Sequence, residues 1–517
     1  MRALLLLAIC LPVVSAQDTP PQITEQQRRR TAVTLNYCRA SLSRIRRYPS
    51  KRVLVEEQER ILNNLDLNAI RDEEVINLYS AVLDEINQTQ ILETERRVIH
   101  ERTRRGMQRT LGANLFVIGA HAATGQLGNA IQSGANSWWD YRNASMDREV
   151  QSWAVEKSRL TGIVDRSSRF LDAAWKLSRR NEIPDRWLVR TDDLIRLQTT
   201  MQENDPAVRL RVLNRMSRFM EAYPPYWYYV ARTQQQMGRL QEAAKTFRQL
   251  VDLGNGHFRK DDMLAAGTAN LAMIEEYLES PSATRTAKKA LEYSTDSWEV
   301  NLTCAWVLNR HSEHTDAEDA ILRNLDVELE EHQSSIALTS LYYHTGNSTQ
   351  LAKLLSDEKL VARIPIPGLL LSATLLENDK FPAAARRRVA SSIRVDTDRR
   401  FGRESLVVYS APDWKLGDAR LAMQIGENQL DPPLITTNPR GAEARFAGRL
   451  EGDASTFQVT LTYPNTPAIR LHFATVERRG GRPTVDLLKT TDRPITITAV
   501  EVGKKRLSMQ FAPTVRR

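Results

Sequence analysis

The spacing of apolar residues divides the chain into a long helical part and a shorter β-rich part. Between residues 53 and 105, apolar residues recur at steps of three and four among charged residues, which is the period of amphipathic helices. Helical spacing continues from Trp153 to about residue 390. Beyond residue 401, apolar and polar residues alternate in short runs punctuated by prolines, and this period of two predicts strands. We therefore predict a mainly α-helical protein whose residues 401–517 form a small antiparallel β-sandwich-like domain.

One segment of the helical part has the pattern of a helical repeat. Large and small residues alternate between two predicted helices, and a glycine stands where the turn between them is expected. Large residues on one helix fill the gaps left by small residues on the other, and glycine permits a tight turn. The residues at these positions are Trp227, Ala231, Gly238, Leu240, Ala243, Phe247 and Leu250. This segment resembles a tetratricopeptide repeat.

The resemblance implies a degenerate tetratricopeptide-like α-solenoid over residues 205–395, in which helix pairs stack and hold a protein or peptide in a concave groove. The match is incomplete, because Asn255 stands where the family often has proline and Gln234 where an aromatic residue is usual. Four tyrosines are candidates for lining such a groove, and packing between helices is the alternative role for them. They are Tyr223, Tyr226, Tyr228 and Tyr229.

Residues 1–16 have the pattern of a secretory signal peptide. A short basic start is followed by an apolar run that ends in the small residues Ser15 and Ala16. The run is too short to cross a bilayer, which needs about 20 apolar residues. We therefore expect an exported protein, periplasmic or extracellular. A polar, basic entry segment at 17–50 and a helical region at 51–200 follow it.

An uncharged segment interrupts the helical region. Residues 110–139 contain no Asp, Glu, Lys or Arg, and five glycines recur among small and apolar residues. Small residues at such steps let two backbones approach closely, and an uncharged segment of this length can also contact a membrane. Polar residues such as His121 and Asn129 would need partners inside hydrocarbon. We predict a protein-buried helical hairpin, with membrane association or homo-oligomer formation as the alternatives.

Charge and cysteine content narrow the classes of partner. The formal net charge of +9 comes mostly from arginine and is compatible with anionic partners, but export argues against nucleic acid, which we do not expect as a partner. Once the signal peptide is removed, Cys38 and Cys304 can form at most one disulfide, so the protein is not a disulfide scaffold. Their spacing leaves open whether they pair or remain two buried thiols.

No segment has the spacing of a known catalytic or phosphate-binding motif. His311 and His314 stand close to Asp316, but they lack the spacing of a metalloprotease, and solvated side chains are the alternative. We expect no catalytic residue, metal site or cofactor, and we predict a non-enzymatic scaffold that uses its repeats for protein–protein interaction. The alternatives are an envelope assembly factor acting through residues 110–139, and an enzyme whose site has no recognised motif.

Overall fold

A computed structural model of the chain describes both the helical and the β-rich parts. The described residues are 23–48, 50–62, 65–87, 157–293, 296–328, 330–400, 403–414, 416–447, 456–462, 468–477, 483–487 and 495–498. The predicted signal peptide and the uncharged segment 110–139 lie outside them, so what the sequence predicts for these two segments stays a prediction.

The first described helices form an N-terminal group. They are α1 (Glu25–Arg47), α2 (Lys51–Leu62), α3 (Glu73–Asn87) and α4 (Lys157–Arg180). α1 begins at a capping box, in which the Thr24 hydroxyl accepts the Gln27 N–H and the Gln27 side chain accepts the Thr24 N–H. α3 packs along α4, and the rings of Tyr79 and Phe170 meet there with centroids 5.0 Å apart. Among the described residues, no helix is long and apolar enough to cross a membrane.

The remaining helices form an array of consecutive hairpins. In the described part, the chain folds back on itself so that α7 packs on α8, α9 on α10 and α11 on α12, and the first helices of successive hairpins also contact each other. The bounds are α5 (Thr191–Met201), α6 (Pro206–Met220), α7 (Pro224–Gln236), α8 (Leu240–Gly254), α9 (Asp262–Tyr277), α10 (Ala283–Tyr293), α11 (Trp298–Arg310), α12 (His314–Asp326), α13 (Glu331–His344), α14 (Ser348–Leu354), α15 (Glu358–Val361), α16 (Ile366–Lys380) and α17 (Ala383–Ser391). The predicted mainly helical fold is therefore confirmed.

α9 lies at the centre of this array. Every residue from Met263 to Glu275 is buried, so the helix is enclosed on all sides. Gly267 permits the close approach of α8, because a Cβ atom there would lie 2.6 Å from Cδ2 of Leu250. A helix that is apolar all round is expected in the interior of a large protein.

The C-terminal strands form one antiparallel sheet in the order β4-β3-β7-β8-β9-β1-β2-β6-β5, with β10 also paired to β8. The strands are β1 (Ile393–Arg400), β2 (Arg403–Ser410), β3 (Arg420–Ile425), β4 (Asn428–Gln429), β5 (Leu434–Asn438), β6 (Gly441–Ala447), β7 (Thr456–Thr462), β8 (Ala468–Glu477), β9 (Pro483–Leu487) and β10 (Ile495–Thr498). This confirms the small antiparallel β-region at the C-terminal end. β1 begins before the predicted boundary at residue 401, since its charged residues mask the alternation that starts at Ile393.

A buried amide joins α1 to the start of the helical array. Asn36 lies in the middle of α1 and is almost fully buried. Its side-chain N–H groups donate to the carbonyl oxygens of Trp187 and Ala222 at 2.6 and 2.9 Å, and its carbonyl oxygen accepts the Val189 N–H at 2.9 Å. One side chain thus satisfies three backbone groups from two different segments.

A second contact joins α1 to the loop after α8. His257 in this loop is 2% exposed, and its Nδ1 lies 3.2 Å from the Thr34 hydroxyl of α1. The His257 carbonyl oxygen accepts the Asp66 N–H at 2.8 Å. Burial, together with the nearby Arg30 guanidinium, lowers the pKa of His257 to about 4, and Asp66 opposes this shift. The imidazole is therefore neutral at pH 7.

This histidine predicts a loss of stability in mild acid. The unfolded chain takes up a proton at His257 near pH 6.5, whereas the folded chain does so only near pH 4. Stability therefore falls as the pH falls through this range, by about 3 kcal/mol in total. Urea unfolding at pH 7 and pH 4.5 should show this loss in the wild type and a clearly smaller loss in His257→Gln. Equal pH dependence of the two proteins would contradict the assignment.

Candidate functional site

The residues of the tetratricopeptide-like pattern lie in one helical hairpin formed by α7 and α8. Ala231, Ala243, Phe247 and Leu250 are fully buried. Leu240 is also buried, Trp227 is half-buried, and the Trp227 indole N–H donates to the Glu221 carbonyl oxygen at 3.0 Å. Gly238 makes the turn with a φ of +73°, in the region that favours glycine. The local interpretation of these residues as packing and turn positions therefore fits the described hairpin.

The four candidate groove tyrosines lie in the core. Tyr223, Tyr226, Tyr228 and Tyr229 are between 0 and 6% exposed. The ring of Tyr223 lies 6.2 Å from that of Tyr37 on α1, and the Tyr226 hydroxyl donates to the Leu213 carbonyl oxygen at 2.8 Å. These side chains pack between helices, and this corrects the expectation that they line an open groove.

The first helices of four successive hairpins end in the same way. After α7, α9, α11 and α13, the chain enters the left-handed region at Gly238, Glu279, Ser312 and Gly346. A backbone hydrogen bond of 2.8 to 3.0 Å closes each turn, as in the Schellman motif. These bonds run from the N–H groups of Arg239, Ser280, Glu313 and Asn347 to the carbonyl oxygens of Gln234, Glu275, Leu308 and Tyr342.

The spacing of these helix ends is regular. Ser312 follows Glu279 by 33 residues, and Gly346 follows Ser312 by 34 residues. A tetratricopeptide unit is about 34 residues long. Sequence reasoning missed the turns at Glu279 and Ser312, because neither position has the glycine that usually marks a left-handed turn. Their equivalence is visible only in the backbone.

Two neighbouring helix ends expose apolar and aromatic surface, which we call the edge patch. Tyr277 is 46% exposed and Leu278 is 36% exposed, although most large apolar side chains of these hairpins are buried. Trp306 on α11 is half-buried nearby. The edge patch consists of Glu276, Tyr277, Leu278, Trp306, Arg310 and His311.

Ion pairs hold the edge patch together. The Glu276 carboxylate at the end of α9 accepts from the guanidinium of Arg310 and pairs with the His311 imidazole, both at the end of α11. The Arg310 guanidinium also lies over the Trp306 ring, 5.4 Å from its centroid. These contacts fix the two helix ends relative to each other and leave the Tyr277 side chain pointing to solvent.

The chemistry of the remaining candidates is modest. His311 belongs to the edge patch, and the His314 Nδ1 lies 3.1 Å from the Asn309 side-chain oxygen on an exposed turn. Within the part of the chain that the structure describes, no cluster of three His, Cys, Asp or Glu side chains could hold a metal ion. Cys38 and Cys304 are separate buried thiols, and burial raises the pKa of each.

Comparison with known proteins adds no relative to this description. No protein-family model matches the chain, and no curated protein matches it. The fold class is therefore supported by the structure alone, and the likeness to tetratricopeptide repeats by one hairpin and its regularly spaced turns.

Proposed function

We propose that the protein is an exported, non-enzymatic scaffold that binds a protein partner through its tetratricopeptide-like helical array. Three successive helix ends spaced by 33 and 34 residues support the repeat character of this array. Stacked helical hairpins form extended surfaces that bind other proteins in many repeat families. The edge patch is the observation that carries the proposal, because it is exposed and lies on this regular edge.

The composition of the edge patch suits a protein partner. Aromatic residues and arginine contribute a large share of binding energy at protein interfaces, and this patch combines Tyr277, Trp306 and Arg310. The Arg310 guanidinium is already fixed by Glu276 and by stacking on Trp306, so little side-chain entropy remains to be lost on binding. Glu276 offsets the charge of Arg310, which favours a partner that offers an apolar side chain.

Substitution of the exposed pair in the edge patch tests this proposal. We expect Tyr277→Ser with Leu278→Ser to weaken partner binding at least about tenfold, because an interface anchor contributes about 2 kcal/mol. The purified full chain would be the bait for proteins of its source compartment, and the affinity of each recovered protein would be measured by calorimetry.

Phe219→Ser provides the matched control. Phe219 is an exposed aromatic residue of α6 outside the edge patch, so its replacement should leave binding unchanged. Thermal unfolding of both variants should stay close to that of the wild type, since surface substitutions usually change stability by no more than about 0.5 kcal/mol. A partner bound equally well by all three proteins would rule out the edge patch as the binding surface.

A further inference from the structure

The sheet ends in an unprotected strand. β5 is the last strand in the sheet order and pairs with β6 on one side. Among the described residues, no strand pairs with its other side. Leu434 at its start is 72% exposed, the most exposed large apolar side chain in the described part of the chain. Thr436, Thr437 and Asn438 are exposed as well.

Edge strands usually carry features that prevent pairing with another chain, such as charges, prolines or bulges. The five residues of β5 contain neither a charge nor a proline. Prolines stand only outside it, at residues 432, 433 and 439, and they confine the open stretch to residues 434–438. Alternate residues of an antiparallel strand direct their N–H and C=O groups away from the strand already paired, so β5 presents a template for one more strand.

The hairpin holds this edge in a fixed geometry. The Asn438 side-chain oxygen accepts the Arg440 N–H at 2.8 Å in the turn between β5 and β6. Gly441 follows with a φ of +148°, and a Cβ atom there would lie 2.1 Å from the Ser410 carbonyl oxygen. On the β5 face nearer residues 416–418, the Thr437 methyl group would lie 3.3 Å from a Cβ at Gly417. The opposite face, with Leu434 and Thr436, stays open.

We propose that β5 pairs antiparallel with β5 of a second copy of this chain, which joins the two sheets edge to edge. Residues directly opposite each other in an antiparallel pair place their side chains on the same face of the sheet. Two-fold symmetry therefore requires one residue to lie opposite its own copy, and Thr436 is the centre of the strand. Leu434 then lies opposite Asn438, and Ile435 lies opposite Thr437.

Charge complementarity favours a second copy as the occupant. Asp431 precedes β5 and Arg440 follows it, and both side chains are exposed. Neither forms an ion pair among the described residues. The antiparallel arrangement brings Asp431 of each copy close to Arg440 of the other, so opposite charges meet at both ends of the paired strands. Because five residues per strand fall short of the roughly 1,200 Å² that a stable interface buries, we expect a weak dimer that depends on concentration.

Cysteine cross-linking tests the register directly. In the proposed dimer, the Cα atoms of the two Thr436 residues lie about 4.5 to 5.5 Å apart, which is within the range of a disulfide. Thr436→Cys in the full chain should give a disulfide-linked dimer under mild oxidation, and a reductant should reverse it. Glu427→Cys is the matched control, since it is exposed in the same sheet but away from β5. The wild type accounts for the native cysteines.

A charge exchange separates symmetric pairing from random collision. Arg440→Asp should reduce the rate of cross-linking of Thr436→Cys about threefold or more, because exposed ion pairs contribute up to about 1 kcal/mol each and two are lost per dimer. Asp431→Arg combined with Arg440→Asp should restore the rate. If Thr436→Cys cross-links no faster than Glu427→Cys, or if the double exchange restores nothing, the pairing of β5 with its own copy is wrong.

Discussion

Replacement of Asn36 by leucine is expected to lower the free energy of unfolding by about 3 to 5 kcal/mol, because a buried backbone group left without a partner costs about 1 to 3 kcal/mol. The Asn36 side chain satisfies the carbonyl oxygens of Trp187 and Ala222 and the N–H of Val189. Leucine has a similar volume but can satisfy none of them, so the loss arises from unpaired groups and not from a cavity. Urea unfolding followed by circular dichroism measures it.

Asn214→Leu is the matched control for this substitution. Asn214 is an exposed residue of α6, so the same change of side chain should alter stability by no more than about 0.5 kcal/mol. If Asn36→Leu costs less than about 1 kcal/mol, the three hydrogen bonds do not stabilise the junction between α1 and the array in the way the geometry indicates.

Replacement of Phe247 by alanine is the second substitution with a large expected effect. Phe247 is fully buried on α8, and its ring centroid lies 6.5 Å from that of Tyr228 on α7. Its Cδ1 atom also reaches α9, where it would lie 3.6 Å from a Cβ at Gly267. Loss of the ring leaves a cavity between three helices, and we expect a cost of about 3 to 5 kcal/mol.

Thermal and urea unfolding measure this cost, and Phe219→Ala is the control within the same array. Phe219 is 41% exposed, so its removal leaves no enclosed cavity and should change stability little. Phe247→Leu should fall between the two because it keeps part of the volume. Equal stability of Phe247→Ala and Phe219→Ala would mean that the hairpin does not pack as described.

The sequence predicted the features that depend on local chemistry. Gly238 and the small residue Ala243 were sufficient to place the α7–α8 hairpin, because turn and packing requirements act within a few residues. Alternation predicted β7 and β8, whose residues Phe457 and Phe473 face each other in the paired strands and stack 5.3 Å apart. Both periodicities are properties of a single element, so they can be read without knowing its neighbours.

The remaining features depend on contacts between distant segments. The burial of Tyr223 involves Tyr37 on α1, and nothing in the local sequence indicates that α1 covers this part of the array. The left-handed turns at Glu279 and Ser312 lack the glycine that would reveal them. The exposure of Leu434 follows from the last position of β5 in a sheet whose strand order departs from the order of the sequence. Sequence reasoning therefore predicted the hairpin but missed the edge patch.

The long reach of the contacts made by α1 also bears on how the chain is synthesised. Thr34 and Asn36 are bonded to residues that lie 151 to 223 positions further along the chain. At translation rates of about 5 to 20 residues per second, α1 leaves the ribosome on the order of 10 to 40 s before these partners do. During that interval its buried face has no native surface to pack against. The nascent chain therefore needs either other apolar contacts or a chaperone to cover α1 until the array emerges.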